Sequence, residues 1–578
     1  MDGRYPEMIS PARRDSLWTG LLWSLPLAYL ATFYFFPLVS ILAVSFGRLQ
    51  ANGIPLLLQS LVSPSILHIL GFTFYQATLS TILTLALGLP GAYLIARYQF
   101  RGKSLLQALM GIPFVMPTLV VGAAFTALLG SRGWINLGLM ELFNLAEPPL
   151  KFTNTLGAIL VAHMFYNTTI ILRMVGDFWS HLDPRLEQAA RVLGANRWQA
   201  MRLITFPLLQ PAIMAATLLV FIFDFTSFGV ILVLGGPQFT TLEVEIYYQT
   251  VSLFNLPLAA ILAVLQLACT LAMTIIYSRL ASRLTLPLSL RPQRFTQHKL
   301  LTWRSRIFSG ITVGFLVALL TLPLAALALR SVTRLEPDRG QRTTQTGFTL
   351  DFYRELSINR RQSIFYSPPA SAIAISLGYA AITAGLSLLL GLPSAAALAR
   401  GSNRALNRLL DPILMLPLGT SAVTLGLGFI VALDQPPLDL RDSWLLIPLA
   451  HTLVAYPFVV RSLTPALRSI RPRLRQAGAV LGASPIRVFL QIDLPLISRA
   501  TLVAATFAFT ISLGEFGATA LIARPEYPTL PVAIYRFLSQ PGAMNYGQAL
   551  ALSTLLMIIT ATGMIAIERF RMADIGEF

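Results

Sequence analysis

Long apolar stretches dominate the chain, and short polar segments between them hold most of the charged residues. A helix that crosses a bilayer needs about 20 predominantly apolar residues. The first stretch is too long for a cleaved signal peptide and lacks a small-residue cleavage site near its end, so we expect it to stay in the membrane. The pattern predicts twelve transmembrane helices, at roughly 17–46, 68–96, 105–130, 154–175, 206–235, 256–279, 307–330, 369–399, 409–433, 443–463, 496–523 and 546–568.

Composition and charge agree with this prediction. Of the 578 residues, 55% are hydrophobic and 12% are charged, and the mean hydropathy is +0.68, whereas soluble proteins have about 25% charged residues. A net charge of +18 would suggest a nucleic-acid partner in a soluble protein. With both termini in the cytoplasm, however, 30 of the 43 lysines and arginines fall on the cytoplasmic side, as the positive-inside rule requires. We therefore predict an all-α membrane protein with cytoplasmic termini and no nucleic-acid partner.

The chain also contains an internal duplication. His163 and Arg173 recur as His451 and Arg461, and this offset of 288 continues through the following segment. Upstream, the Gly-Leu-Pro sequence at 88–90 recurs at 391–393. The repeat predicts two homologous six-span halves, residues 1–285 and 307–578, joined by a cytoplasmic linker at 286–306. Because each half begins and ends in the cytoplasm, the repeats are parallel, and a pathway between them is the natural hypothesis.

Several kinds of chemistry are absent from the sequence. The Arg-Gly-Lys-Ser sequence at 101–104 lacks the leading glycine of a phosphate-binding loop, so we expect no nucleotide hydrolysis by this chain. No metal-ligand cluster or catalytic motif is present, and the single cysteine, Cys269, excludes a disulfide within the chain. We predict a protein that is not an enzyme and that has no cofactor and no metal site.

The cytoplasmic loop between the fourth and fifth spans of each half has a repeated pattern. Pro184 and Pro472 suit the first turn of a short helix, and Gly194 and Gly482 suit the left-handed turn that ends it. A second short helix follows each glycine. Such a knob could dock in a groove of a partner, or it could be a hairpin that only joins two spans; two near-copies favour docking. The residues assigned to docking are Gln188, Ala189, Ala190, Leu193, Gly194, Ala195 and Pro207, and then Gln476, Ala477, Leu481, Gly482, Ala483 and Pro495.

The Gln-Ala-Ala pattern with its following Gly-Ala and Pro resembles the Glu-Ala-Ala loop of permease subunits in binding-protein-dependent ABC importers. The resemblance covers nearly the whole chain. It implies a type I importer-permease fold in a prokaryotic inner membrane, with two copies of a separate ATPase on the two loops and an extracytoplasmic binding protein as partners. One departure is that Gln188 and Gln476 replace the family's leading glutamate, while Glu187, one position earlier, aligns with Arg475.

The fused layout is similar to the permeases of thiamine and ferric-iron importers. The segments that resemble thiamine permeases more closely are 225–247 and 258–267 in the first half, and 512–522 and 528–535 in the second. The resemblance implies import of a thiamine-type solute or of ferric iron. A polyamine or another small solute is the alternative substrate. An ion-coupled secondary transporter is the alternative of another class, because it can share the twelve-span architecture, but it would not need two docking loops.

Two acidic residues lie in the interior of predicted spans, away from the span ends, Asp224 and Glu515. Each would cost about 2.5–3.5 kcal/mol if it faced lipid, so we expect each to face a partner or a water-filled pathway. The duplication aligns Asp224 with Ser512 and Ser227 with Glu515, one helical turn apart. One interpretation places these four residues along the pathway, where the acids would suit a cationic substrate. The other gives Asp224 a hydrogen bond to a neighbouring helix and makes Glu515 the cap of a helix break.

The repeated histidines, His163 and His451, allow two interpretations. A pair of pathway histidines could bind a metal, but duplication alone explains the recurrence, and hydrogen bonding between helices is commoner. The polar loop at 331–368 has no counterpart in the first half. It could contact a binding protein or be mobile, and both alternatives stay open.

Overall fold

The computed structural model describes residues 11–47, 63–282, 297–335, 347–358, 368–400, 404–434 and 438–573. In these ranges ten helices are long and apolar enough to cross a membrane, and two bent helix pairs bring the number to twelve. The predicted all-α class with twelve spans is therefore confirmed. In chain order, spans 1 to 12 are Leu22–Gly47, Pro64–Arg97, Thr118–Phe143, Leu156–His181, Arg197–Phe225, Leu256–Tyr277, Trp303–Arg330, Pro369–Ala399, Ala405–Gly419 with Ala422–Ala432, Leu446–Ser469, Pro485–Leu496 with Ser498–Gly514, and Ala543–Ile567.

Short elements connect the spans. The short helices are Lys103–Leu109, Ile112–Val115, Pro184–Val192, Gly229–Leu234, Leu242–Tyr247, Asp351–Arg354, Glu355–Ser357, Pro472–Val480, Gly517–Ile522 and Leu530–Leu538. Strand Tyr98–Gln99 pairs in parallel with His298–Lys299, so the end of the linker lies beside the end of span 2; linker residues 286–296 lie outside the described residues. Thr333–Arg334 pairs antiparallel with Gly347–Phe348 in the polar loop, of which 336–346 and 359–367 also lie outside them.

The chain packs as two compact units. Of the described residues, those within 44–373 and 524–562 form the first unit, and those within 1–43, 374–523 and 563–578 form the second. The units differ from the predicted halves because residues 11–43 pack with the second half, while the described residues of 307–373 and 524–562 pack with the first. In the second unit, the Tyr29 hydroxyl donates to the Leu449 carbonyl at 2.6 Å. In the first unit, span 7 packs against spans 2 and 3. The first helix of each half is thus packed on the core of the other half.

In each unit, one pair of spans packs closely together in the core. In the first unit, a Cβ added to Gly88 of span 2 would lie 2.7 Å from Ile171 of span 4, so only glycine allows this approach. In the second unit, Gly391 of span 8 lies against Val459 of span 10 in the same way, at 2.5 Å. The duplicated Gly-Leu-Pro sequence therefore marks equivalent contacts in the two units. These contacts fix the spans that carry the cytoplasmic loops.

Candidate functional site

The first repeated loop folds as a short helix, a left-handed turn and a second helix. Helix Pro184–Val192 begins after Asp183, whose side chain accepts a hydrogen bond from the backbone N–H of Arg185 at 3.0 Å. Gly194 has φ +95°, a region open to glycine but costly for other residues. Asn196 and Gln199 then form a capping box that starts the second helix. The turn is closed by backbone N–H groups that donate to carbonyls, from Leu193 to Ala189, from Gly194 to Arg191 and from Ala195 to Ala190.

The second loop has the same backbone structure, so the predicted helix, glycine turn and second helix are present twice. Helix Pro472–Val480 is followed by Gly482, which has φ +79°. The Ser484 side chain accepts a hydrogen bond from the N–H of Arg487 at 3.3 Å and caps the next helix. The closing bonds run from Leu481 to Ala477, from Gly482 to Ala479 and from Ala483 to Gly478.

Each loop ends in a pair of exposed apolar side chains, which we call the loop tips. Val192 and Leu193 are 87% and 88% exposed, and Val480 and Leu481 are both 87% exposed. Four residues assigned to docking are also exposed: Gln188, Ala189, Gln476 and Ala477. Leaving large apolar side chains in water is unfavourable, and matched exposed pairs are typical of a protein interaction site. The sequence analysis assigned Leu193 and Leu481 but missed the two valines, although their aligned positions could have identified them.

A proline follows each loop at the aligned positions 207 and 495. Proline has no N–H, so it cannot complete the regular helical hydrogen bond to the residue four positions before it. Each proline is preceded by a π-helical turn, Met201–Thr205 in the first copy and Phe489–Asp493 in the second. The loop therefore joins its span through a bulge with the same geometry in both units.

Opposite charges anchor the two loop helices at aligned positions. In the first unit, Glu187 lies 3.6 Å from Arg97 at the end of span 2. In the second unit, Arg475 donates to Asp493 at 2.8 Å and to the Leu467 carbonyl at 3.0 Å. Burial lowers the pKa of the Arg475 guanidinium from its ordinary value. Because Asp493 is fully buried and Glu187 is about one third exposed, the second ion pair should contribute more to stability than the first.

We expect the glycine turns to set the direction of the loop helices. Gly194→Val with Gly482→Val should greatly reduce co-purification of the separate ATPase that the resemblance implies, because a β-branched residue at positive φ is strained by about 1–2 kcal/mol or more at each turn. The added side chains would meet open space, so a clash is excluded as the cause. Gly194→Asn with Gly482→Asn is the control, since Asn tolerates this backbone region. Equal co-purification by the Val and Asn variants would contradict the prediction.

A buried polar cluster surrounds His163 in the first unit. His163 Nδ1 is hydrogen-bonded to Ser80 at 2.9 Å and lies 3.3 Å from Asp224 Oδ1. His163 Nε2 is hydrogen-bonded to Ser227 at 2.8 Å. Asn167 donates to the same Asp224 oxygen at 2.6 Å, and Asp224 is fully buried. The cluster thus joins spans 2, 4 and 5 at the break between the end of span 5, Phe225, and helix Gly229–Leu234.

The second unit has an equivalent cluster around His451. His451 Nδ1 is hydrogen-bonded to Ser512 and Nε2 to Thr519, both at 2.7 Å, and Nε2 lies 3.1 Å from Glu515. Glu515 accepts hydrogen bonds from the N–H groups of Ala518 and Thr519 and from the Thr519 hydroxyl. It therefore caps helix Gly517–Ile522, which begins after a break that follows Gly514. We call this gap the break of span 11; it is distinct from the bend between Leu496 and Ser498.

The acid and the serine exchange places between the two clusters. Nδ1 faces Asp224 in the first cluster and Ser512 in the second, while Nε2 faces Ser227 and Glu515. Both acids have the local contacts that the sequence analysis gave as their alternative roles. Their contact with a transported solute stays a prediction. Among the described residues, no group of three or more His, Cys, Asp and Glu side chains could hold a metal ion, and each histidine is occupied by hydroxyl partners.

We expect His163→Leu to destabilise the first unit. The change removes a partner from Asp224, Ser80 and Ser227, and each buried group left without one costs about 1–3 kcal/mol. His163→Leu with Asp224→Leu should recover part of the loss, because the carboxyl group is removed as well. The measurement is the thermal unfolding temperature of the purified protein, with the exposed His68→Leu as control. An unchanged unfolding temperature for His163→Leu would contradict the structural role.

Comparison with known proteins identifies the protein class. The sequence profile of the family described as the inner membrane component of binding-protein-dependent transport systems matches residues 85–286 and 387–573. The chain belongs to this family. The two matches correspond to the two predicted repeats, and the chain is a transport subunit of the inner membrane and not an enzyme. Family membership implies an ATPase and a substrate-binding protein as its partners.

Three relatives cover most of the chain. The thiamine transport system permease protein ThiP of Haemophilus influenzae is 27% identical over 515 residues, which cover 88% of this chain and 89% of the relative. ThiP of Escherichia coli is 26% identical over 512 residues, which cover 85% of this chain and 88% of the relative. ThiP of Brucella suis is 28% identical over 575 residues, or 97% of each. The likeness therefore extends through both units.

Proposed function

We propose that this chain is the permease subunit of an ATP-driven thiamine importer. The observation that supports this proposal best is the likeness to relatives named as thiamine permeases, which extends over up to 97% of both chains. Thiamine is cationic, and the chain retains one buried carboxyl residue at the break of span 5 and one at the break of span 11. A binding protein would deliver the solute on the outer face.

The geometry of the loops supports docking of two ATPase copies. The two loop tips have the same backbone, the same exposed Val-Leu pair and matching glycine turns. Two copies of one protein can recognise them because the same surface is presented twice. In this proposal the assigned docking residues carry the contact, and Gln188 and Gln476 form uncharged hydrogen bonds where the family's glutamate would carry charge.

Movement of a docked ATPase would reach the spans through short and well-fixed connections. The ion pairs of Glu187 and Arg475 join the loop helices to span 2 and to the start of span 11. The π-helical turns then lead into spans 5 and 11, where the histidine clusters fix the interruptions. We propose that Asp224, Ser227, Ser512 and Glu515 act on transport at these interruptions, beside the path of the solute.

Uptake in cells tests the substrate. Labelled thiamine and labelled ferric iron should be supplied to cells that lack the gene, with and without the restored gene. We expect cells that lack the gene to lose thiamine uptake but not iron uptake, and we expect the restored gene to recover thiamine uptake. Loss of iron uptake alone, or no change in either, would refute thiamine; in the second case polyamines would be tested next. ATPase co-purification with the restored protein separates an importer subunit from an ion-coupled carrier.

A further inference from the structure

Two tyrosines that the duplication makes equivalent meet in the first unit. Tyr247 and Tyr535 are separated by the offset of 288 that relates the two halves. Each belongs to a short helix, Leu242–Tyr247 or Leu530–Leu538, and both helices begin after a threonine at equivalent positions. The side chains of the two tyrosines are hydrogen-bonded to each other. Since residues 524–562 belong to the first unit, this contact lies within one unit.

A contact between equivalent residues locates the axis that relates them. Where two repeats are related by a twofold axis, a residue touches its own counterpart only at that axis. In transporters with parallel repeats the axis runs along the membrane normal, and solute sites lie at the interface of the repeats. The Tyr247–Tyr535 pair therefore lies where the duplication predicts the path of the solute.

Two further aromatic rings lie beside the pair. The Phe228 ring lies 5.3 Å from the Tyr247 ring, and the Tyr248 ring lies 5.8 Å from it. Phe228 directly follows Ser227, which is hydrogen-bonded to His163 at 2.8 Å. The aromatic group therefore adjoins the first histidine cluster, at the break of span 5.

A carboxylate adds negative charge to this aromatic group. Glu245 accepts a hydrogen bond from Gln249 at 2.7 Å and acts electrostatically on the Tyr248 hydroxyl. Among the described residues, the charged side chain that acts on Tyr248 is Glu245 and not Arg536, which occupies the position aligned with Tyr248. Glu245, Tyr248 and Tyr535 are half-buried, so each keeps a surface that a solute can reach. Tyrosine ring faces and a carboxylate are groups that attract an organic cation.

We propose that Tyr247, Tyr248 and Tyr535 recognise a positively charged aromatic ring on the path of the solute, with Glu245 as its counter-charge. The inference rests on the proposed function, because the thiazolium ring of thiamine is the cation that this site would take. The hydrogen bond between Tyr247 and Tyr535 holds the site closed in the described conformation. Separation of these two side chains would open a face of each ring to the solute.

The kinetics of thiamine uptake test the contribution of the rings. Tyr248→Leu should raise the KM for thiamine about 3- to 30-fold, as expected for the loss of one cation–π contact, whereas Tyr248→Phe keeps the ring and should keep the wild-type KM. Tyr75→Leu is the matched control, because Tyr75 is an exposed tyrosine of span 2. Co-purification of the ATPase should be unchanged in all three variants, which separates an effect on KM from misfolding. Equal KM values for Tyr248→Leu and Tyr248→Phe would overturn the proposal.

Labelling of an introduced thiol tests the charge of the site without assuming the solute. Cys269→Ser removes the one native cysteine, and Tyr248→Cys then supplies a single thiol. The permease with its ATPase bound is treated, during ATP hydrolysis, with methanethiosulfonate reagents that carry a trimethylammonium or a sulfonate group. After correction for their rates with a free thiol, we expect the cationic reagent to react faster, and Glu245→Gln should remove this preference. Equal corrected rates with Glu245 in place would overturn the proposal.

Protection by thiamine separates the site from the proposed function. Saturating thiamine should slow the labelling of Tyr248→Cys. If thiamine gives no protection and the wild-type protein does not transport it, a retained preference for the cationic reagent supports the cation site and refutes thiamine as its solute. If thiamine is transported but gives no protection, the site is refuted.

Discussion

Leu193→Asp together with Leu481→Asp should abolish ATP-dependent uptake while the permease still accumulates in the membrane. Both leucines are almost fully exposed, so the change should not disturb the fold. An interface that closes over them would have to bury two carboxylates without partners. Loss of an interface hot spot costs at least about 2 kcal/mol, or roughly 30-fold in affinity. Each ATPase copy should therefore bind about 30-fold more weakly, and binding of both copies together should fall about 1,000-fold.

The measurements are co-purification of the ATPase with the tagged permease and uptake of labelled thiamine. Phe348→Asp is a matched control, because Phe348 is 84% exposed and lies in the polar loop, far along the chain from both loop tips. It should leave ATPase binding unchanged. Normal ATPase binding by the double variant would show that the loop tips are not the docking site. The single variants test whether both loops are needed.

Arg475→Met should destabilise the protein far more than Glu187→Gln, although the two positions are aligned. The first change removes the guanidinium group from Asp493, which is fully buried. Breaking a buried ion pair from one side costs about 3–5 kcal/mol. The second change removes a longer pair, at 3.6 Å, in which Arg97 is 9% exposed and Glu187 is 32% exposed. Because the glutamine carbonyl can still accept a hydrogen bond from the Arg97 guanidinium, we expect a smaller loss, about 1 kcal/mol.

Thermal unfolding of the purified variants measures this difference. Arg475→Met with Asp493→Leu should recover much of the stability, since no buried charge then remains. Arg473→Met is a suitable control, because Arg473 is an exposed arginine on the same helix. Equal losses for Arg475→Met and Glu187→Gln would show that burial of the second ion pair has no energetic consequence.

The local features of the fold were predictable because they depend on short stretches of sequence. Apolar stretches of sufficient length predict spans without any knowledge of their neighbours. Proline and glycine at fixed spacing predicted the loop helices and their left-handed turns, since these residues restrict or extend the accessible backbone angles. The recurrence of His163 and His451 marked equivalent positions in the two halves, and hydrogen bonding between helices was the commoner of the two interpretations.

Contacts between distant residues were not predictable in the same way. A uniformly apolar helix can pack on several neighbours, so nothing in residues 11–43 indicated that they belong with the second half. The alignment of Glu187 with Arg475 suggested a lost charge, whereas the structure has a reversed ion pair because Asp493 occurs elsewhere in the chain. The sequence offered Glu515 as the cap of a helix break, but the contacts of the Thr519 hydroxyl with both Glu515 and His451 depend on how span 10 packs against helix Gly517–Ile522.

The packing of the first helix on the second half has a consequence for biosynthesis. The Tyr34 hydroxyl is hydrogen-bonded to the Thr420 hydroxyl at 2.7 Å, across 386 residues of sequence. At about 5–20 residues per second, a ribosome needs roughly 20–80 s to make that intervening segment. During this interval span 1 has been inserted but its partner has not been translated. The nascent protein must therefore hold its first helix in lipid without its native neighbours, and a chain released before span 8 would lack the surface on which that helix packs.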